Sequence, residues 1–136
     1  MVKKNTVRVV CAILEQHGRV LVTQRHQHMA QPLLWEFPGG KVEPGETEEE
    51  SLVREIKEEL QLDIEPLRRL TPVFSDLKED LQLELIPFIC RYEAGAIQLV
   101  EHRAYQWSER DRLRSYDWCP ADLPVLDEYL RLYQLP

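Results

Sequence analysis

The stretch covering residues 39–62, GGKVEPGETEEESLVREIKEELQL, constrains this chain more than any other. Two glycines and a Pro44-Gly45 turn lead into a helical pattern that carries Glu46, Glu48, Glu49, Glu50, Glu55, Glu58 and Glu59. At 100° per residue, Leu52, Val53, Ile56 and Leu60 fall on one stripe, with Glu48, Glu55, Glu58 and Glu59 on the adjacent flank. Like charges three and four residues apart destabilise a helix by about 0.2–0.5 kcal/mol per pair. Such a flank therefore needs open solvent or a compensating partner. A solvated acidic face is the ordinary alternative. A hard divalent cation is the more specific one, because Mg²⁺ takes carboxylate oxygens and completes its shell with water and phosphate. Arg54, one turn before Glu58, offers a planar fork of donors able to hold carboxylate oxygens in place.

The spacing says more than the composition. Gly40, five residues, Glu46, seven residues, then Arg54-Glu55-Ile56-Lys57-Glu58-Glu59 and an aliphatic Leu62 closely resembles the signature of the Nudix hydrolases. The pattern departs at Gln61, where the family carries glycine, a position expected to end the helix in a left-handed conformation. The resemblance implies an α/β (α+β) fold, the Nudix-type α/β/α sandwich with a mixed sheet, and a single domain over residues 1–136. It implies that Glu55, Glu58 and Glu59 hold Mg²⁺, or alternatively Mn²⁺, with the Gly39 carbonyl as a further ligand. Glu46 is then expected to pair with Arg54 and, with Gly40, to keep the loop against the helix.

Outside the signature, Arg25 and the run Trp35-Glu36-Phe37-Pro38 resemble segments of MutT-like members, which makes Arg25 and Phe37 candidate substrate-binding residues. Glu101, six residues before Trp107, resembles a late glutamate that faces the metal and is expected to act as a ligand or general base. Asp122 aligns with a base-recognising asparagine; a helix N-cap is its alternative role. An ionised aspartate only accepts hydrogen bonds, so it is expected to favour cytosine, adenine or guanine over uracil and thymine.

Cleaving a pyrophosphate linkage requires neutralised non-bridging oxygens and an oriented, in-line nucleophile, both of which carboxylate-held metals supply. The activity implied is hydrolysis of nucleoside triphosphates to the monophosphate and pyrophosphate, sanitising 8-oxo-dGTP or CTP/dCTP-type nucleotides. The alternatives are a hydrolase of another nucleoside diphosphate derivative, such as a nucleotide sugar, and a non-catalytic nucleotide-binding module. The Arg54-Glu55 and Glu58-Glu59 pairs speak for catalysis.

Charge narrows the partners. Seventeen basic against 24 acidic residues give a net charge of −7, the wrong sign for gripping a nucleic acid backbone. The expected partner is a small nucleotide, acted on by a monomer or homodimer. The start, MVKKNTVRVV, lacks the apolar core of a leader, and no run approaches the roughly 18 apolar residues of a spanning helix; a cytoplasmic location is expected. Cys11, Cys90 and Cys119 lie far apart without a CxxC pair, so buried thiols are expected. His17, His26, His28 and His102 show no ligand spacing.

Along the chain, residues 6–14 read as a strand, 15–19 as a turn and 20–24 as a returning strand. Residues 63–74, interrupted by Pro66 and Pro72, read as broken strand, and 75–80 as a polar turn. Residues 81–85 and 86–92 read as two antiparallel strands, and 98–101 as a short strand or loop leading to 105–107. A final helix opens after Pro120, with Val125, Leu126, Tyr129, Leu130 and Tyr133 as its apolar face.

Overall fold

The computed structural model describes residues 5–136; the basic start at 1–4, considered above, lies outside them. β1 (Asn5–Gln16) turns at His17-Gly18 into β2 (Arg19–Gln24). β3 (Trp35–Glu36), β4 (Gly39–Lys41), α1 (Glu48–Leu60), β5 (Asp63–Arg69), β6 (Val73–Lys78), β7 (Leu81–Ala94) and β8 (Ala104–Glu109) follow. The chain then passes through 3₁₀ turns at Arg110–Ser115 and Pro120–Asp122 into α2 (Leu123–Leu132). The strands form one mixed sheet in the order β3-β2-β1-β7-β5, with β4 on β1, β6 on β7 and β8 on β2.

The parallel pairing of β1 with β7, from Asn5 opposite Leu81 to Glu15 opposite Arg91, is the spine of the sheet. β1 reads as continuous apolar sequence because both its faces are covered, as parallel strands require. Val10, Ala12 and Leu14 pack with Leu52, Ile56 and Leu60 of α1. Cys11 and Ile13 point the other way, to Val125, Leu126, Tyr129 and Leu130 of α2. One strand thus divides two cores and sets an α/β/α sandwich, the architecture expected from the sequence. α2 is fastened to the sheet by Glu15, whose Oε2 accepts from Tyr129 at 2.5 Å, Tyr133 at 2.6 Å and Arg110 at 3.0 Å.

Several boundaries differ from the sequence reading. Residues 81–92 form one strand, although Pro87 sits within it. Leu70 donates to the Pro87 carbonyl at 2.8 Å, so the proline nitrogen faces the same side, where β7 changes partner from β6 to β5. No ladder donor is needed at that gap. Ser75–Lys78 belong to β6 rather than to a turn, and only Glu79 and Asp80 turn the chain. Residues 98–101 are loop, and the strand starts at Ala104. Tyr133 lies past the end of α2 and is exposed.

Candidate functional site

α1 begins at Thr47, whose side chain accepts from the Glu50 amide at 3.1 Å while Glu50 accepts from the Thr47 amide at 2.9 Å. This reciprocal cap, together with Glu48, Glu49 and Glu50 in the first turn beside the positive end of the helix dipole, offsets much of the carboxylate crowding. The helix ends at Gln61, left-handed at φ 61°, with its amide bonded to the Lys57 carbonyl. The buried face is centred differently from the expected stripe. Leu52, Ile56 and Leu60 are inside, but so are Ser51 and Glu59, while Val53 lies at the margin and is exposed. Glu48 also leaves the acidic group, ion-paired to Arg8 and, at 2.7 Å, to Arg69.

Arg54 organises the remaining carboxylates. Its Nε and Nη2 donate to the two oxygens of Glu46 at 2.7 and 2.9 Å. Nη1 donates to Glu55 and Glu58, each at 3.1 Å, and Nη2 also reaches the Lys41 carbonyl at 3.2 Å. The hydrogen bonds from Arg54 hold the Glu46 carboxyl down at about 2, so it stays a charged strap between the loop and the helix. The two glycines have steric causes. A Cβ on Gly39 would lie 1.8 Å from the Val10 carbonyl oxygen, and one on Gly40 would lie 2.2 Å from Oε2 of Glu55. β4 can therefore cross β1 and admit Glu55 only without side chains at these positions.

Glu59 is the deepest carboxylate. Burial, then the charges of Glu101, Glu55 and Glu36, push its carboxyl up to about 9, against an opposing hydrogen bond from the Gly39 backbone. Among the described residues its Oε2 is buried without a hydrogen-bond partner. Glu55 is also raised, first by burial, with Arg54 opposing and Glu58 and Glu101 contributing. Glu58 sits at the solvent edge. Hard oxygen donors crowded around an orphaned carboxylate oxygen fit a divalent cation, whose charge would relieve the repulsion and displace the proton.

A cavity of about 640 Å³ runs from Gly39, Gly40 and Glu59 to a floor formed by Arg25, Glu36, Phe37, Cys119 and Asp122. Its size suits a small ligand. Arg25 donates to Glu36 Oε1 at 3.0 Å, and His102 Nε2 meets Glu36 Oε2 at 2.8 Å. Phe37 is buried against Trp118, ring centroids 4.7 Å apart, and its amide donates to Asp122 Oδ1 at 3.2 Å. Asp122 occupies the N-cap position of α2, as its alternative role supposed, but its side chain makes no capping bond there and turns to the Phe37 amide instead. Burial, then Glu36, push its carboxyl up to about 8, with Phe37 and Arg25 opposing. Burial thus favours the protonated carboxyl, which would present an O–H donor as well as an acceptor, as an asparagine does, where the sequence suggested an acceptor-only aspartate.

Sequence spacing missed two residues of this floor, Glu36 and Cys119, and also His102, which bonds to Glu36. Glu36 lies inside the Trp35-Glu36-Phe37-Pro38 run but gave no sign of its own role. Cys119 brings its sulfur within 4.8 Å of donor oxygens of Glu36 and Asp122, and it read only as one of three buried thiols, which all are. His102 lacked any motif, and its neighbour Glu101 was the only hint.

A mixed sheet between two helices, with a glycine-admitted carboxylate helix at one end of a nucleotide-sized cavity, defines the class: a hydrolase fold arranged around a cation-ready acidic helix. The chain belongs to the NUDIX domain family, whose model matches residues 4–129. It is 34% identical over 133 residues to the CTP pyrophosphohydrolase of Escherichia coli (strain K12), covering 93% of each chain. It is 33% identical over 132 residues to the 8-oxo-dGTP diphosphatase of the same organism, covering 88% of this chain and 92% of that one. The solution structure of the E. coli ORF135 protein matches with a TM-score of 0.84 and 32% identity, covering 96% of this chain and 93% of that one.

Proposed function

We propose that this chain is a Mg²⁺-dependent nucleoside triphosphate pyrophosphohydrolase, releasing the nucleoside monophosphate and pyrophosphate, and that it clears CTP-type or oxidised nucleotides from the pool. The observation that carries this reading is the single cavity joining an acidic, cation-ready end at Glu59 to a hydrogen-bonding floor at Asp122. The names of the relatives support the same substrate class.

Glu55, Glu58, Glu59, Glu101 and the Gly39 carbonyl would hold the divalent ion, with Mn²⁺ as a substitute. When bound, the ion neutralises the phosphate oxygens and lowers the pKa of a coordinated water. Arg54 keeps Glu55 and Glu58 oriented through one nitrogen. Glu101, on the exposed loop opposite, takes the role of ligand or general base for the attacking water. At the far end Phe37 and Arg25 frame the base, and protonated Asp122 reads its edge with one donor and one acceptor. A free nucleotide suits a surface of net charge −7 better than a polymer does. Among the described residues no helix is long and apolar enough to cross a membrane, in keeping with action in the cytosol, as a monomer or homodimer.

The test is Mg²⁺-dependent pyrophosphate release from a panel of normal and oxidised triphosphates, with the products identified. Glu58→Gln and Glu59→Gln should each lower turnover by orders of magnitude while the fold persists, since each removes a charge without changing volume. Near-normal activity of either variant at limiting Mg²⁺ would overturn the ligand assignment, and products other than monophosphate and pyrophosphate would overturn the reaction.

A further inference from the structure

The loop between β7 and β8 carries Glu101 at an exposed position and, immediately after it, His102, whose side chain is 1% exposed. Burying an imidazole is costly unless a hydrogen bond compensates it. Here one bond does so: Nε2 donates to Glu36 Oε2 at 2.8 Å, because a carboxylate beside Arg25 is the acceptor, while Nδ1 is buried without a partner. Among the described residues Glu36 is the ring's only hydrogen-bond partner.

Glu36 is itself held from several sides. Arg25 binds its other oxygen at 3.0 Å, Thr23 Oγ1 donates to its carbonyl at 3.0 Å, and its backbone pairs with β2. The loop is pinned on either side of the histidine: the Val100 amide donates to the Glu59 carbonyl at 3.2 Å and the Arg103 amide to the Gln24 carbonyl at 2.9 Å. Glu101 lies between these anchors, and its charge bears on both Glu55 and Glu59.

We propose that His102 is a positioning residue: through its hydrogen bond to Glu36 it fixes the loop that presents Glu101, and so couples the nucleotide floor to the acidic end of the site. The inference rests on the reading of Glu101 as a metal ligand. The coupling follows from the shared residue. Whatever disturbs Glu36 at the cavity floor also disturbs the peg that holds the Glu101 loop, so base binding and metal binding are linked through one side chain. Hydrogen bonds made to a ligand itself are worth about 10- to 100-fold in metal affinity or activity; this one acts through the loop that carries the ligand, so the lower end is expected.

The experiment uses the full chain and Mn²⁺ as the probe, with binding followed by electron paramagnetic resonance and turnover measured in parallel. His102→Leu removes the donor but keeps the site filled. It should weaken Mn²⁺ binding by about tenfold and lower kcat more than it raises KM. His102→Gln, whose amide can still donate to Glu36, should restore most of both. On a Glu101→Gln background His102→Leu should add little, because the two act in series. If His102→Leu does not fold, His102→Asn, too short to reach Glu36, is read in its place.

Wild-type Mn²⁺ affinity in His102→Leu, failure of His102→Gln to restore it, or full additivity with Glu101→Gln would each overturn the proposal. Wild-type affinity in Glu101→Gln by itself would instead overturn the ligand reading of Glu101. Weakened binding in Glu101→Gln alongside unchanged binding in His102→Leu would sink the role of His102 alone.

Discussion

Arg54 grips both oxygens of Glu46 with two hydrogen bonds, 2.7 and 2.9 Å long, and turns its remaining nitrogen to Glu55 and Glu58. One guanidinium therefore fastens the Pro44-Gly45 loop and aims two candidate ligands. A lysine carries the charge as a point and cannot reproduce this fork. Arg54→Lys should lower kcat by about 10- to 100-fold with a smaller change in nucleotide KM. Steady-state kinetics across a Mg²⁺ series would show it, and an unchanged kcat would mean that Glu55 and Glu58 orient themselves.

The two glycines of β4 should separate stability from activity. A methyl on Gly39 meets the Val10 backbone, which cannot yield, so Gly39→Ala should destabilise the fold by at least the roughly 1–3 kcal/mol typical of overpacking. A methyl on Gly40 meets the Glu55 carboxylate, a movable side chain. Gly40→Ala should therefore keep a near wild-type Tm and lose about tenfold or more in activity. Thermal melts and turnover of the two variants, compared side by side, check this; the reverse ranking would contradict the geometry.

Gln61 pays the cost of a side chain in the left-handed region at φ 61°. Glycine there has no Cβ to clash, so Gln61→Gly should raise stability by about 1 kcal/mol and leave turnover unchanged. A lower unfolding midpoint for the glycine variant would show that the Gln61 side chain contributes more than the strain removes.

Asp122 should leave a signature in the pH dependence of stability. Its carboxyl is raised from 3.8 in the unfolded chain to about 8 when folded, so the native state binds the extra proton. The contribution is fully present below the unfolded value and is lost as pH rises through the folded one. Asp122→Asn, which does not titrate, should therefore gain on the wild type as pH rises between these values, by at most about 1.4 kcal/mol per pH unit. Denaturant melts at several pH values would measure the difference. A constant offset would place an ionised carboxylate at Asp122 throughout.

Much of this molecule was legible in one dimension. Helix α1 could be located because its signals are local: a 3.6-residue repeat and a carboxylate spacing that topology does not alter. The family resemblance carried by the same stretch implied the pairing of Glu46 with Arg54 and a left-handed helix end at Gln61. The β-branched, apolar run at residues 6–14 announced a strand, and the structure added that both its faces are covered.

What only the tertiary structure decided concerns residues whose meaning depends on distant partners. The two strands read at 81–85 and 86–92 are one, which runs on through Pro87 because the change of partner from β6 to β5 removes the need for its amide. Val53 was placed inside by periodicity, but the buried face of α1 is set by where β1 and the cavity lie, and it takes in Glu59 instead. Asp122 carries the same letter whether it is an exposed cap or a buried floor residue beside Glu36, and only the packed structure makes it the second. His102 and Glu36 are 66 positions apart, and no local pattern encodes a hydrogen bond across that distance. Sequence alone fixes what depends on neighbours along the chain, whereas charge state, burial and long-range contact depend on neighbours in space, which only the packed sheet and helices bring together.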